Sequence, residues 1–149
     1  MSGRSNPLLV PFAGLILAQA AHSVEEYAGR LWETFPPARL VSGLVSSDLE
    51  RGFVIANVLL VGFGAWCALW PVRRGWPAAT ALAWGWVVVE TINGIGHPLW
   101  SLRQGGYTPG VATAPLLLGL ALWLARRLLH RETRGAITRP GGTSAPSAR

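Results

Sequence analysis

Four long stretches of the chain carry almost no formal charge, and this distribution limits what the chain can fold into. Only Glu90 interrupts them, and they cover residues 5–24, 52–72, 75–102 and 104–125. A helix needs roughly 20 residues to cross the hydrocarbon layer, and helices satisfy their backbone polar groups internally. The sequence therefore predicts an all-α, four-helix transmembrane bundle in one domain of residues 1–130, with spans at about 7–25, 52–72, 77–98 and 109–128.

The basic residues indicate the orientation of this bundle. All 13 are arginine, against 7 acids, for a net charge of +6. If the spans alternate in direction, nine arginines lie on one side and four on the other, which by the positive-inside rule predicts that both termini are cytoplasmic. The chain is then a multi-pass protein of a bacterial cytoplasmic membrane. Because the arginines lie at the ends of apolar stretches, we expect contacts with anionic lipid headgroups rather than with nucleic acid.

The two ends of the chain leave one alternative open. Residues 131–149 are basic and poor in apolar side chains, which predicts a disordered tail. At the other end, Arg4, the apolar run 8–18 and the small residues Ala18 and Ala20 also fit a signal peptide that is cleaved after Ala20.

Polar side chains recur at helical spacing near the ends of two predicted spans. His22, Glu25 and Glu26 end the first span, and Glu90, Asn93 and His97 follow one face of the third. Both spans run in the same direction, so the two sets should meet in the extracytoplasmic half. Ionisable residues at that depth are costly and usually functional, which favours a site over simple polar contacts between helices.

Prolines shape the segments around these residues. The longest connection, 27–51, contains Pro36 and Pro37, which we expect to stop a helix. Pro98 disfavours helical geometry at the residue before it, so we expect His97 to lie at a bend or a helix end.

Three motifs point to a family. His22–Glu26 reads H-x-x-E-E, Asn93–His97 reads N-x-x-x-H, and Tyr107–Gly110 reads Y-x-P-G. With this order and these predicted spans, the chain resembles the HXXEE-motif family of small integral membrane proteins over roughly residues 7–129. The resemblance supports the site and implies no particular reaction.

The residue types at the site favour a metal. His22, Glu25, Glu26 and His97 offer nitrogen and oxygen ligands that suit Zn²⁺, Fe or Mn, and the lone cysteine excludes a thiolate site. Glu90, Glu25, Asn93 and Tyr107 are the candidate catalytic groups, with Tyr107 covering the site from the following loop. We therefore predict a membrane-embedded enzyme that acts on a lipophilic small molecule with metal assistance, by hydrolysis or oxidation.

Two other functions stay open at this point. Acid and base groups in an apolar setting, near deep tryptophans, also fit a metal-free isomerase or cyclase of an isoprenoid- or polyketide-like substrate. A non-catalytic lipid-binding or accessory membrane protein is the third reading, and a homo-oligomer is compatible with all three.

Overall fold

The computed structural model describes residues 6–137, and within this range all regular secondary structure is helical. The prediction of an all-α fold is confirmed at this level. Six α-helices follow one another along the described chain: α1 (Leu9–Ala28), α2 (Leu31–Thr34), α3 (Pro36–Val45), α4 (Leu49–Cys67), α5 (Ala79–Gln104) and α6 (Ala114–Ile137). A π-helical turn, Ala68–Val72, extends α4 around Pro71.

The long helices α1, α4, α5 and α6 alternate in direction around one apolar core. The side-chain amide of Asn6 donates to the Val72 carbonyl at 2.6 Å and accepts from Arg131 at 3.3 Å. The start of α1 and the ends of α4 and α6 therefore meet at one end of the molecule. Trp84, near the start of α5, donates to Glu132 of α6 at 3.2 Å. It follows that α1 and α5 run in the same direction, as the sequence predicts.

The core combines large buried side chains with a close helix contact at a glycine. Phe12, Leu117 and Leu124 are among the side chains with no solvent exposure. At Gly94, a Cβ atom would lie 2.7 Å from Leu118 Cβ, which is too close for a real contact, so the glycine lets α5 approach the backbone of α6.

The connection between α1 and α4 is helical rather than irregular. The α2 helix ends directly before Pro36 and Pro37, so the prediction that they stop a helix is confirmed. They also occupy the first turn of α3, where a proline costs no hydrogen bond, and this helix was not predicted. The α3 helix lies directly on α4, because a Cβ atom at Gly52 would meet the Ser42 carbonyl oxygen. A small second core of Leu31, Trp32 and Phe53 holds the connection in place.

Two other boundaries differ from the predictions. The α5 helix continues through Pro98 to Gln104, so His97 lies inside a helix rather than at its end. The α6 helix runs to Ile137, so residues 131–137 of the predicted tail are helical, and residues 138–149 lie outside the described range.

One helix of the described chain is long and apolar enough to cross a membrane. It is Leu49–Val72, with 24 residues and a mean hydropathy of 2.0. The other three predicted spans do not meet the same measure of length and hydropathy, so this measure supports one candidate span rather than four.

Candidate metal centre

His22, Glu26 and His97 form one buried cluster. His22 and Glu26 are one helical turn apart on α1, and His97 comes from the parallel helix α5. Glu26 Oε1 lies 3.3 Å from His22 Nε2 and 3.1 Å from His97 Nε2, and the two Nε2 atoms are 3.3 Å apart. The three residues are 0%, 7% and 3% exposed, so water does little to screen the carboxylate.

The other ring nitrogen of His97 fixes the position of its proton. His97 Nδ1 lies 2.8 Å from the carbonyl oxygen of Pro109. A carbonyl only accepts, so Nδ1 carries the hydrogen and donates it. In the neutral imidazole, Nε2 then has a free lone pair that points at Glu26 and His22.

A threonine relay fixes His22 in the same way. His22 Nδ1 lies 2.7 Å from Thr113 Oγ1, and that hydroxyl donates to Glu25 Oε2 at 2.6 Å. Because the single hydroxyl hydrogen of Thr113 goes to Glu25, Thr113 must accept from His22. His22 is therefore also protonated at Nδ1, with the Nε2 lone pair facing the cluster.

Three acceptor atoms thus face one another, and a cation is needed to hold them together. That cation is either a proton or a metal ion. Three ligands at about 2.1 Å from a tetrahedral ion lie about 3.4 Å apart, and adjacent ligands of an octahedral ion lie about 3.0 Å apart. The separations of 3.1–3.3 Å fall between these values. His22, Glu26 and His97 could therefore hold a metal ion.

The loop 107–113 covers the cluster, and Gly110 allows it to do so. A Cβ atom at Gly110 would lie 2.5 Å from the His97 ring and 2.9 Å from the His22 ring, and the φ of +91° favours glycine. Pro109 is the acceptor of His97. The Y-x-P-G motif therefore surrounds the histidines with its backbone.

Glu25 lies outside the cluster and holds this loop instead. Its two oxygens accept five hydrogen bonds, at 2.6–3.1 Å, from the Tyr107 hydroxyl, the backbone N–H groups of Gly110, Ala112 and Thr113, and the Thr113 hydroxyl. With both oxygens engaged, Glu25 is not placed to join His22, Glu26 and His97 on one ion.

Tyr107 is likewise brought to Glu25 rather than to the cluster. The side chain is 68% exposed and donates to Glu25 at 2.7 Å. This hydrogen bond raises the pKa of Tyr107 above the usual value near 10, because the carboxylate accepts from the neutral phenol.

Glu90 and Asn93 form a second polar group beside the cluster. Glu90 is fully buried and accepts from Asn93 at 3.3 Å. With the amide nitrogen of Gln19 facing the carboxylate, Gln19 donates to its two oxygens at 2.8 and 3.1 Å and accepts from Ser23 at 3.1 Å. Glu90 therefore faces N–H donors and is not a member of the three-residue cluster.

A cavity of about 200 Å³ adjoins the cluster and is lined mainly by residues of α1, α3, α4 and α5. Glu26 and His97 line it, together with Gln19 and Asn93 from the neighbouring polar group. A ligand in this cavity would touch two of the three candidate metal ligands.

Sequence reasoning missed two residues that shape the site. Thr113 gave no signal because a threonine three residues after a Pro-Gly turn is unremarkable in a loop. Gln19 lies on one helical stripe with His22 and Glu26, but it was not assigned to the site. The usable signal for Gln19 was its spacing from the motif: it lies three residues before His22 and therefore shares its helix face.

Fold and cluster together define a small all-helical protein with a buried His₂Glu site that could hold a metal ion. The chain belongs to the HXXEE family, which is described as proteins of unknown function with an HXXEE motif, and the family model matches residues 13–124. All three motifs lie within the matched range, which confirms the family predicted from them. No curated protein and no solved structure matches the chain.

Proposed function

We propose that the chain is a membrane-embedded enzyme that uses a metal ion, held by His22, Glu26 and His97, to act on a lipophilic substrate. One observation carries the proposal. The Nδ1 hydrogens of both histidines are donated away from the cluster, so two Nε2 lone pairs and a carboxylate oxygen converge on one point. Outward hydrogen bonds of this kind orient metal-binding histidines and fix their tautomers.

The ligand set suggests the metal and the chemistry. Two imidazoles and one carboxylate suit Zn²⁺, Fe²⁺ or Mn²⁺, and three protein ligands leave coordination positions open for water or substrate. The adjoining cavity meets the cluster at Glu26 and His97, where such a position would be accessible. A metal there would neutralise the buried carboxylate and activate water for hydrolysis, or bind oxygen for oxidation.

The membrane part of the proposal has four spans with both termini cytoplasmic. Its support is the outer surface of the long helices, where apolar side chains stand exposed: Val10, Leu17 and Val24 on α1, Val58, Leu59 and Phe63 on α4, Val88, Ile92 and Leu99 on α5, and Leu116, Leu122 and Leu129 on α6. An apolar surface on every long helix is unfavourable in water and suits lipid. The arginines of the two ends then lie at the two interfaces.

Metal-free acid/base catalysis is the second candidate, and the same distances favour it. Separations of 3.1–3.3 Å are also those of hydrogen bonds, so a proton shared among His22, Glu26 and His97 is the alternative cation. The fully buried Glu90 would then supply a second acid or base nearby.

Metal analysis of the purified protein decides between the two. We expect about one Zn, Fe or Mn per chain in detergent-purified protein, and loss of most of that metal in His22→Ala, His97→Ala and Glu26→Gln. The matched controls are His130→Ala and Glu33→Gln, which change exposed residues and should keep the metal. A folded, metal-free protein that binds none of the three ions when they are added would exclude the metal proposal and leave the metal-free one.

A further inference from the structure

A hydroxyl without a hydrogen-bond partner lies in the wall of the cavity beside the cluster. Ser42 is fully buried on α3, it lines the cavity, and its Oγ has no partner within the described chain. Buried hydroxyl groups are nearly always hydrogen-bonded, and a helical serine can donate to the carbonyl four residues earlier. Ser42 does not, and its Oγ is itself covered by the wall, so the side chain must rotate before a molecule in the cavity can satisfy the hydroxyl.

The position of Ser42 is fixed by the packing of α3 on α4. Gly52 of α4 lies directly against the Ser42 carbonyl, where no larger residue would fit. The backbone of Ser42 is therefore held against α4, and the hydroxyl moves only by rotation of the side chain.

An apolar groove between α1 and α4 lies beside the cavity. This groove has a volume of about 660 Å³, and Phe53 and Asn57 line both the groove and the cavity. Val24, Val54 and Val58 form much of its remaining surface. The two spaces are thus neighbours across Phe53 and Asn57, and Asn57 accepts from Ser23 of α1 at 2.6 Å. A molecule that occupies both spaces must displace one of these side chains.

The sizes and charges of the two spaces limit what can occupy them. At about 30 Å³ per water molecule, the cavity has room for roughly seven waters, which is enough for a small head group and a few carbons. The described residues that line it include no arginine, so no cationic side chain is present to pair with an anionic head group. The groove beyond Phe53 suits a hydrocarbon chain.

From this arrangement we propose a substrate class: an uncharged amphiphile with one hydroxyl or carbonyl group that hydrogen-bonds to Ser42 and a hydrocarbon chain that lies in the α1–α4 groove. This inference rests on the proposed function, since it places the polar end of the molecule beside Glu26 and His97. Ser42 is a binding residue in this arrangement, and the groove is the lateral entrance from the lipid.

The test uses tetradecan-1-ol that carries a photoreactive diazirine and an alkyne on its chain, with the matching alkane that lacks the hydroxyl as a control. Crosslinking of the detergent-purified full chain, followed by peptide mass spectrometry, should label α1 and α4 at the groove. In Ser42→Ala, the Kd for the alcohol should rise about five- to tenfold, the loss expected for one hydrogen bond, while the Kd for the alkane stays unchanged.

Three further variants separate binding from folding. Ala56→Leu fills the cavity wall and should abolish binding of the alcohol, whereas Ala81→Leu and Ser47→Ala change exposed positions and should not alter it. Without the probe, Ser42→Ala should raise the Tm, because it removes a buried hydroxyl that has no partner. A lower Tm in this variant would show that the hydroxyl is structural and would overturn the inference.

The outcomes for substrate and metal are distinguishable. If Ser42→Ala keeps the metal and leaves the Kd for the alcohol unchanged, the substrate inference fails and the metal centre stands. If the chain binds no metal and still binds the alcohol with the stated dependence on Ser42 and Ala56, the substrate inference stands and the metal centre fails.

Discussion

At the scale of single residues, the candidate metal centre depends on the direction of the hydrogen bonds around His22. Thr113 accepts from His22 and donates to Glu25, so one hydroxyl links the histidine to a carboxylate that never touches the cluster. Such partners raise the basicity of a ligating imidazole and hold its ring in place. Thr113 is therefore a positioning residue for His22.

Replacing Thr113 should weaken metal binding without removing a ligand. In Thr113→Val, we expect the affinity for Zn²⁺ to fall about 10- to 100-fold, the usual effect of losing such a partner. Competition with a chromophoric chelator measures this affinity. Thr113→Ser keeps the hydroxyl and should restore it, and Thr91→Val, on α5 outside the cluster, is the matched control. Equal affinities in Thr113→Val and Thr113→Ser would show that the hydroxyl does not orient His22.

The adjacent residues Glu25 and Glu26 show how much of the site could be predicted from helical spacing. The spacing of four residues correctly placed Glu26 on the same helix face as His22, because residues one turn apart are neighbours. Glu25 is rotated by about 100° from Glu26 on a helix of 3.6 residues per turn, so it faces another element. Three of its five donors are backbone N–H groups of the loop 107–113, which no side-chain pattern reveals.

At the scale of elements, the loop 107–113 acts as a cover that Glu25 holds over the histidines. Gly110 is its tightest point, since a side chain there would collide with His97 and would require an unfavourable φ. The prediction of a cover over the site from this loop is consistent with the structure, although its side-chain contact is to Glu25.

A methyl group at Gly110 should displace the cover. Gly110→Ala combines a strained backbone with a steric clash, and we expect it to lower the free energy of unfolding by about 2–4 kcal/mol. Thermal denaturation should show this as a clear drop in Tm, together with loss of bound metal. Gly106→Ala changes a residue just before this loop that has open space around it, and it should be nearly neutral. Similar Tm values for the two variants would mean that the loop does not pack on the rings.

The hold of Glu25 on the loop can be followed through tyrosine titration. The chain has two tyrosines, and each has a pKa raised above 10 by a hydrogen bond to a carboxylate, Tyr107 to Glu25 and Tyr27 to Glu50. A raised pKa means that the neutral phenol persists to higher pH. In Glu25→Gln, the phenolate absorbance of Tyr107 should therefore appear at lower pH than in the wild type.

Tyr27 is the internal control for that titration, since its partner Glu50 is unchanged in Glu25→Gln. Glu50→Gln should shift the other half of the absorbance change and leave Tyr107 as it was. If Glu25→Gln leaves both transitions in place, Tyr107 is not bound to Glu25.

The element that the sequence concealed best is α3. Adjacent prolines usually interrupt a helix, yet they fit the first turn, where the missing N–H groups would have no helical acceptor. Pro36 and Pro37 do end α2, as the sequence predicts, but the helix that begins at the same two residues was not predicted. With α3 unrecognised, neither the cavity beneath it nor the buried hydroxyl of Ser42 could be predicted.

At the scale of the whole molecule, the alternating helices bring the parallel pair α1 and α5 together, and this arrangement is what joins His97 to the H-x-x-E-E helix. The same arrangement places Arg73 and Arg131 at one end and Arg51 and Arg103 at the other. Helix order was predictable from short connections and alternating direction. The membrane spans were harder to judge. The hydropathy of a helix averages its buried polar face with its exposed apolar face, whereas lipid would contact only the exposed face.

Cysteine labelling tests the four-span topology directly. In a Cys67→Ala background, Gln104→Cys should react with a membrane-impermeant maleimide in intact cells, because the α5–α6 loop would face outward. Arg74→Cys, in the α4–α5 turn, should react only after permeabilisation, because the positive-inside rule places that turn in the cytoplasm. Both residues are exposed in the folded chain, so the membrane alone should separate them. Equal labelling of the two in intact cells would exclude this topology. A protein whose exposed helix faces are apolar should stay in the lipid, so extraction of the chain by alkaline carbonate would exclude an integral membrane protein.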